Sequence, residues 1–183
     1  MITSKELEEA QKRTAEMLKK AGIVITDEEV KKIAAADLGL SHLEKEGAQI
    51  LTFLETDRVA FKIIALFPNQ TMPEHWHPPV GDDPGKEETI RVISGPLFFF
   101  IPGDENIREG FIPEGKEAYY TVRHELVMNP GDQITVEPGK VHWFQSGIEG
   151  AVLYSISSTA RDILDRFTDP EIVRETVIVE IGN

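Results

Sequence analysis

The first residues of the chain place their predicted buried positions three and four residues apart, which is the spacing of an amphipathic helix. These positions are Leu7, Ala10, Thr14, Met17 and Leu18. Thr3 and Glu6 form a Ser/Thr-x-x-Glu capping box before this helix, and Gly22 follows it where helices commonly end. A second capping box begins at Thr26 and predicts another helix that runs towards Leu38.

From residue 50 onwards, the pattern changes to the two-residue alternation of strands. Eight short runs show it: ILTFLET, VAFKIIALF, TIRVIS, LFFFIP, YYTVRHELVM, QITVEP, VHWFQS and AVLYSISS. Turn signals rich in proline, glycine and aspartate lie between the runs. Short strands at this spacing predict an antiparallel sandwich or barrel, with the jelly roll as the leading candidate.

The tail of the chain has a mixed pattern, in which TARDILDRFTDPEIV predicts a short helix and ETVIVEI a final strand. A length of 183 residues suits one domain, and no internal repeat or low-complexity linker divides the sequence. We therefore predict a single, mainly β domain. Residues 1–45 form a helical N-terminal extension, residues 50–158 a jelly-roll barrel, and residues 159–183 a C-terminal cover.

Composition narrows the range of partners and sites. The net charge of −13 argues against nucleic acids and anionic membranes as partners, because both attract basic surfaces. The chain has no cysteine, which excludes disulfides, thiolate catalysis and cysteine-based zinc sites. No apolar run resembles a signal peptide or a membrane span. The sequence therefore predicts a cytoplasmic protein that binds neither nucleic acid nor membranes.

The stretch PEHWHPPVGDDPGKEETIRVISG carries the most distinctive chemistry in the sequence. On a strand, His75 and His77 point to the same face with Cα atoms roughly 6.5–7 Å apart, so that both rings can bind one metal ion. Further along, Glu88 shares a face with the apolar residues of its strand, whereas Glu87 faces outward. An inward carboxylate costs on the order of several kcal/mol unless it is paired or bound to a metal. We therefore predict that Glu88 binds the same ion.

A third histidine, His142, begins the strand VHWFQS after a Pro-Gly turn. Three histidines and a glutamate from three strands make a ligand set with room for more. A structural zinc site typically closes at four ligands. A six-coordinate ion would leave two positions open for substrate or water.

Two segments, residues 75–95 and 131–142, resemble the two cupin motifs. The gap between the second histidine and the glutamate is longer than usual, Pro138 lies one place late, and Ser146 stands where many cupins have asparagine. A longer similarity runs from about Ala21 to Pro170. It rests on AGIVITDEEV, LFPNQTMPEHWHPPVGDDPGKEET, YYTVRHE, PGKVHWFQSGIEGAV and SST…FTDP. Together these segments resemble the bacterial and archaeal D-lyxose isomerase family of cupin sugar isomerases.

This resemblance implies a metal-dependent aldose–ketose isomerase with a monosaccharide substrate. Such enzymes interconvert D-lyxose with D-xylulose, and commonly D-mannose with D-fructose. The metal ligands that it implies are His75, His77, Glu88 and His142, and the implied active-site lysine is Lys86. Manganese is the expected ion, and cobalt, iron, nickel and zinc also suit these ligands.

The expected reaction is proton transfer between C1 and C2 of the sugar through a cis-enediol. Lys86 is predicted to lie on the same inward side as Glu88, where burial and a nearby cation would lower its pKa and suit it to act as a base or proton shuttle. Relatives carry a glutamate at the place of Ser155. His124 is therefore expected to supply a second acid–base group, on an inward strand face that it shares with Tyr120.

Substrate contacts are predicted for four further residues: Tyr120, Phe144, Asp162 and Asp165. Each also has an ordinary alternative, core packing for the aromatic residues and solvated or capping charges for the aspartates. The run LFFFI is apolar on both faces, which predicts cover by a partner subunit or by the N-terminal helices. Because cupin sheets often pair, we expect a homodimer.

Three other functions share parts of this pattern. A cupin phosphosugar isomerase of the glucose-6-phosphate type would need a basic phosphate clamp, for which Lys140 and Arg91 are the nearest candidates. A cupin dioxygenase would bind iron in the same ligand set and would have an apolar pocket. A non-catalytic sugar- or metal-binding cupin would bind the metal without acid–base residues, and Lys86 argues against it.

Overall fold

The computed structural model describes residues 1–158 and 162–180 and is mainly β. Its helices are α1 (Ser4–Lys20) and α2 (Asp27–Lys31), and Asp162–Leu164 forms one turn of 3-10 helix. The strands are β1 (Ile2–Thr3), β2 (Ala34–Ala36), β3 (Ala48–Glu55), β4 (Val59–Leu66), β5 (Thr71–Trp76), β6 (Glu88–Ser94), β7 (Leu97–Ile101), β8 (His124–Met128), β9 (Gln133–Val136), β10 (His142–Ser146), β11 (Ala151–Ser158), β12 (Arg166–Phe167) and β13 (Ile178–Val179).

Two antiparallel sheets face each other across the main core. One has the order β2-β3-β4-β11-β6-β9 and the other the order β12-β5-β10-β7-β8. The core between them takes Ile90 and Leu153 from the first sheet and Met72, Phe99 and Phe144 from the second. Several neighbouring strands are distant in sequence, such as β4 and β11 in one sheet and β5 and β10 in the other, as in a jelly roll. The predicted cupin barrel is therefore confirmed.

The N-terminal helix packs on the outside of the six-stranded sheet. The backbone N–H of Glu6 donates to Thr3 Oγ1 over 3.1 Å, which confirms the predicted capping box. Leu18 is fully buried in a cluster with Leu51 and Ile63 of the sheet. In the described part of the chain, neither helix has the length and apolar content that crossing a bilayer requires.

The second helix is shorter than the sequence pattern predicts. It begins after the predicted cap at Thr26 but ends at Lys31, and Ala34–Ala36 forms strand β2 instead of a further helical turn. The prediction that it continues to Leu38 is therefore wrong. Pairing of β2 with β3 buries Ala35 and Ala36, and this tertiary gain outweighs the helix propensity of alanine.

The outer face of β7 is covered by a segment of the same chain. Phe98 and Phe100 pack with Tyr120, Trp143 and partly buried residues of the segment between β7 and β8. A Cβ atom at Gly110 would lie 2.6 Å from the Phe100 ring, so only glycine fits at this approach. We expected the N-terminal helices or a partner subunit to cover LFFFI. The segment of residues 102–123 covers it instead.

Candidate active site

Three buried histidines meet on two neighbouring strands of the five-stranded sheet. His75 on β5 lies opposite His142 on β10, and His77 follows β5 by one residue. One ring nitrogen from each histidine lies within 4.8 Å of one from each of the others. Metal ligands of this kind and spacing fit a divalent cation. The predicted convergence of these three side chains is present in the structure.

Each ring is held by a hydrogen bond at Nδ1. His75 donates to the carbonyl oxygen of Pro73 over 2.8 Å, and His142 to that of Lys140 over 2.9 Å. A carbonyl oxygen only accepts, so both rings carry their proton on Nδ1 and leave the Nε2 lone pair free. His142 Nε2 is buried without a partner among the described residues. This arrangement orients a histidine for metal binding through Nε2.

The protonation states of the rings differ. Burial and the neighbouring His77 lower the pKa of His142 to about 4, and burial with the other two rings holds the pKa of His75 well below its usual value. Burial also lowers the pKa of His77. Hydrogen bonds with Asp165 and Glu88 outweigh that effect and raise it overall. His75 and His142 are therefore neutral near pH 7, and the neutral imidazole is the form that binds a metal.

Glu88 contacts the histidine group through His77. Its Oε2 lies 3.1 Å from His77 Nε2, and its Oε1 accepts a hydrogen bond from Ser155. Glu88 is 6% exposed, whereas Glu87 is exposed, so the predicted register of β6 is confirmed. Burial alone would raise the pKa of Glu88. The Lys86 ammonium and the two hydrogen bonds outweigh burial and keep the carboxyl group ionised.

Lys86 lies among carboxylates. Its Nζ is 3.1 Å from Asp162 Oδ1, 3.6 Å from Asp165 Oδ2 and 3.9 Å from Glu88 Oε2. Burial alone would lower the pKa of Lys86, but these three charges outweigh it and raise the pKa above its ordinary value. The lowering expected beside a bound cation stays a prediction. It did not take into account the two aspartates of the tail, which act in the opposite direction.

Both aspartates of the tail reach the cavity. Asp165 Oδ1 accepts the Nδ1 proton of His77 over 2.8 Å. Asp162 pairs with Lys86 and with Lys62 of β4, and Arg174 Nη2 lies 3.4 Å from Asp162 Oδ2. Burial would raise the pKa of Asp162, but the surrounding cations lower it to about 2.

Lys62 and Arg174 are site residues that the sequence analysis missed. Lys62 is 8% exposed and lines the same cavity as His75 and Glu88. A signal for it exists in the sequence, because it is the one charged residue in VAFKIIALF and alternates with inward-facing Ile64. Arg174 carries no comparable signal, since it lies in an irregular segment.

The two aromatic residues predicted to contact the substrate, Phe144 and Tyr120, lie on opposite faces of the five-stranded sheet. Phe144 is buried behind the histidines, with its ring centroid 6.3 Å from that of His75 and 5.6 Å from that of Phe99. Tyr120 packs instead on the outer cluster, and its hydroxyl donates to Glu46 over 2.7 Å. The orientation predicted for Tyr120 is wrong, because strand alternation begins only at His124. Its position gives no support to a substrate contact.

His124 lies two strands away from His142 along the five-stranded sheet. On β8, His124 pairs with Ile101 of β7. Trp143 of β10 pairs with Phe100 of β7, so His142 lies beside Ile101 on the opposite edge of β7. Strand spacing puts the Cα atoms of His124 and His142 roughly 10 Å apart. Its Nδ1 lies 2.9 Å from the Asp104 carbonyl oxygen. A catalytic role for His124 stays a prediction.

The outer side of β5 is fixed by Glu74. Its carboxylate accepts hydrogen bonds from the backbone of Thr121 and Val122 over 2.6 and 2.9 Å, and from Thr168 Oγ1 over 2.6 Å. Glu74 is buried, so these bonds offset the cost of removing its charge from water. Strand β5, which carries His75, is thus held by hydrogen bonds to the segment that contains Thr121 and Val122 and to the segment that contains Thr168.

Glu88→Gln is expected to weaken metal binding by roughly 10- to 100-fold and to lower activity with it, because a neutral amide does not balance the charge of a cation. Metal titration of the purified variants measures this effect. Glu87→Gln is the matched control, since it makes the same chemical change one residue away on the exposed face. A larger effect of Glu87→Gln than of Glu88→Gln would contradict the assignment.

Comparisons with known proteins were made for the sequence and for the fold. No model of a known protein family matches the chain. A D-lyxose ketol-isomerase from Cohnella laeviribosi is 51% identical over 174 residues, which cover 94% of this chain and 96% of that protein. A D-lyxose/D-mannose isomerase from Thermosediminibacter oceani is 46% identical, covering 95% of this chain and 97% of that protein. A D-lyxose ketol-isomerase from Thermofilum sp. is 43% identical, covering 98% and 100%.

Solved structures of L-ribose isomerases have a similar fold. The structure from Acinetobacter sp. DL28 in complex with L-ribose has a TM-score of 0.80 at 15% identity and covers 98% of each chain. The structure from Cellulomonas parahominis without ligand has a TM-score of 0.79 at 15% identity, covering 98% of this chain and 99% of that one. At such identity these similarities show the fold. The sequence relatives match at 43–51% identity over nearly the whole chain, and this protein therefore belongs to the D-lyxose ketol-isomerase family of sugar isomerases.

Proposed function

We propose that this protein is a metal-dependent aldose–ketose isomerase that interconverts D-lyxose with D-xylulose and D-mannose with D-fructose. The observation that carries the proposal is the set of three buried imidazoles, with the unpartnered Nε2 of His142 among them. The activities named for its relatives support the choice of sugars.

In this proposal the ion is Mn²⁺, held by His75, His77, His142 and Glu88. When bound, it supplies Lewis-acid polarisation of the sugar carbonyl and stabilises developing negative charge. The donor set of nitrogen and carboxylate oxygen also suits cobalt, iron, nickel and zinc, so the available ion decides among them.

Lys86 is the acid–base residue of the proposal. The three carboxylates around it hold the proton on Nζ, which suits Lys86 to donate to a sugar oxygen. The positive charge of a bound divalent cation acts in the opposite direction and favours the neutral amine. Lys86 thereby has access to both protonation states, as a proton shuttle between adjacent carbons requires.

The phosphosugar isomerase is the less favoured alternative. Three cations line the cavity, Lys62, Lys86 and Arg174. The same cavity wall carries three carboxylates that pair with them, Glu88, Asp162 and Asp165. The candidates from the sequence point elsewhere, since Arg91 donates to Gln133 on the surface and Lys140 pairs with exposed Glu137. A dianionic phosphate gains little from cations that are already neutralised.

The other two alternatives also fit the cavity less well. A dioxygenase with an apolar substrate is disfavoured by the polar wall that Lys62, Asp162 and Arg174 form. A sugar-binding protein without catalysis leaves no use for the buried Lys86 beside the metal ligands. A wall of paired charges suits a neutral, hydroxyl-rich substrate.

A homodimer in the cytoplasm is part of the proposal. The outer face of β7 no longer supports the dimer, because the chain itself covers it. Support comes instead from the six-stranded sheet, where Phe53 and Leu54 of β3 and Ile156 of β11 are exposed on either side of Phe61 of β4. The cytoplasmic location rests on the sequence pattern alone.

Metal stripping followed by addition of single ions tests the proposal. Protein freed of metal is expected to be inactive on D-lyxose and D-mannose and to regain activity with Mn²⁺, while the 6-phosphates of glucose and mannose remain poor substrates. Ketose formation measures the reaction. Preference for the phosphorylated sugars would favour the glucose-6-phosphate alternative, and metal binding without turnover would favour the non-catalytic one.

A further inference from the structure

The space beside the histidines is too small for the substrate. Two cavities adjoin the site, one of about 30 Å³ that includes His75 and Glu88 and one of about 20 Å³ beside His77. A single water needs roughly 10–15 Å³ of such volume, so each cavity holds at most a few waters. A pentose or hexose therefore reaches the site only if part of the cavity wall moves.

A larger groove lies against the same wall from the outside. It has a volume of about 550 Å³ and runs between the N-terminal segment, strand β3 and the tail of the chain. Its polar lining includes Gln11, Thr52, Glu55 and Thr176, together with Lys31 and Lys32. Hydroxyl, amide and carboxylate groups of this kind suit a neutral polyhydroxyl ligand.

Four residues line both the groove and the inner cavity: Ile50, Lys62, Asp162 and Arg174. The three charged members form one connected group. Lys62 pairs with Asp162 Oδ2, Arg174 Nη2 lies 3.4 Å from the same oxygen, and Arg174 Nε donates to the Asp162 carbonyl over 3.0 Å. The group is the partition between the groove and the cavity that holds the histidines.

Asp162 also connects this partition to the catalytic lysine. Its Oδ1 accepts from Lys86 over 3.1 Å while Oδ2 faces Lys62. Asp162 stands on the single 3-10 turn of the tail, whereas Lys62 stands on a central strand. Moving the short turn is less costly than moving a strand, because fewer backbone hydrogen bonds must break.

We propose that the Lys62–Asp162–Arg174 triad is a substrate gate and that the groove outside it is the entrance through which the sugar reaches the histidines. Separation of Asp162 from Lys62 opens the cavity to the groove and frees charged donors and an acceptor for sugar hydroxyls. The inference rests on the proposed sugar substrate. It adds a route, an entrance site and two residues, Lys62 and Arg174, to the reaction.

Labelling of single cysteines tests the route, since the chain contains no cysteine of its own. Thr52→Cys places a thiol in the groove, directly across the strand pair from Lys62. Val80→Cys is the matched control, because Val80 is exposed beside the other small cavity. Each variant is assayed on D-lyxose before and after reaction with fluorescein maleimide, so that each serves as its own reference. Glu55→Cys replaces Thr52→Cys if the latter does not fold.

The label at residue 52 is expected to lower kcat/KM by about tenfold or more, as blocking a gated entrance would, and the label at residue 80 to leave it nearly unchanged. The opposite pattern would place the entrance beside His77. Equal losses, or no loss in either protein, would also overturn the assignment of the groove.

Metal release tests the gate separately from catalysis. Lys62→Met is expected to speed the removal of bound Co²⁺ by EDTA about tenfold, because loss of the ion pair favours the open state. Lys116→Met is the control, since Lys116 forms a comparable pair with Asp169 away from the triad. Equal release from the two variants overturns the gate. The gate is also overturned if Lys62→Met loses equilibrium affinity for Co²⁺ by the same factor as its release is faster.

The two proposals can fail independently. If the unmodified protein converts none of the sugars, the proposed function fails, and the comparison of Co²⁺ release still decides the gate. If it converts D-lyxose but the labelled proteins behave alike, the function stands and the gate is wrong.

Discussion

His142→Ala is expected to abolish tight metal binding and to lower isomerase activity by roughly 10³-fold or more, since the stabilisation that a bound ion gives a developing charge is worth several kcal/mol. His142 contributes a buried Nε2 with no partner in the described residues, and alanine removes that ligand atom without adding a competing one. Metal analysis after gel filtration and turnover of D-lyxose measure the two effects. The fold should persist, because alanine removes only the stacking of the His142 ring on Phe99 from the core between the sheets.

The control for this variant is His42→Ala. His42 is exposed on the segment before β3, so the same substitution there removes an imidazole that has no place in the site. It should retain metal and activity. Full activity of metal-free His142→Ala protein would contradict the metal-enzyme proposal.

Lys86→Met is expected to lower kcat by roughly 10²- to 10⁴-fold, which is the usual contribution of one acid–base group, with metal content unchanged. Methionine keeps most of the unbranched side chain but has no ionisable group, so the loss reports on proton transfer. The ketose formed by the unsubstituted enzyme in deuterated water should carry deuterium at C1, as an enediol route requires. Mass spectrometry of the ketose measures the incorporation.

Lys140→Met is the matched control, because Lys140 lies two residues before His142 but its side chain pairs with Glu137 on the surface. It should leave kcat and deuterium incorporation unchanged. Product without solvent deuterium in a single turnover, together with a fully active Lys86→Met variant, would exclude Lys86 from catalysis and favour hydride transfer.

The site was predictable where it depends on strand alternation and on local spacing. The pair His75 and His77, and the opposite orientations of Glu87 and Glu88, follow from the two-residue period of strands. The fold followed from the same period repeated along the chain. Strand alternation failed to predict the orientation of Tyr120, because this residue belongs to a strand-like run that precedes the actual start of β8.

Features that depend on distant parts of the chain were not predictable. The pKa of Lys86 is raised by Glu88 and also by Asp162 and Asp165, and the path of the tail brings these two aspartates to the lysine. Lys62 and Arg174 enter the site for the same reason, through their pairing with Asp162. The second helix shows the converse case, in which a strand partner overrides a local preference at Ala34–Ala36.

The proposed metal site lies mainly on strands, whereas part of the cavity wall lies on the tail, and this difference affects how the enzyme can change during evolution. The proposed metal ligands His75 and His142 stand on paired strands, and Glu74 holds one of those strands from its outer side. Asp162 stands on one isolated turn and Arg174 in an irregular segment, where substitutions disturb few backbone pairings. Under the proposed function, descendants of this sequence can acquire new sugar preferences through mutations in the tail while the proposed ion site is inherited intact.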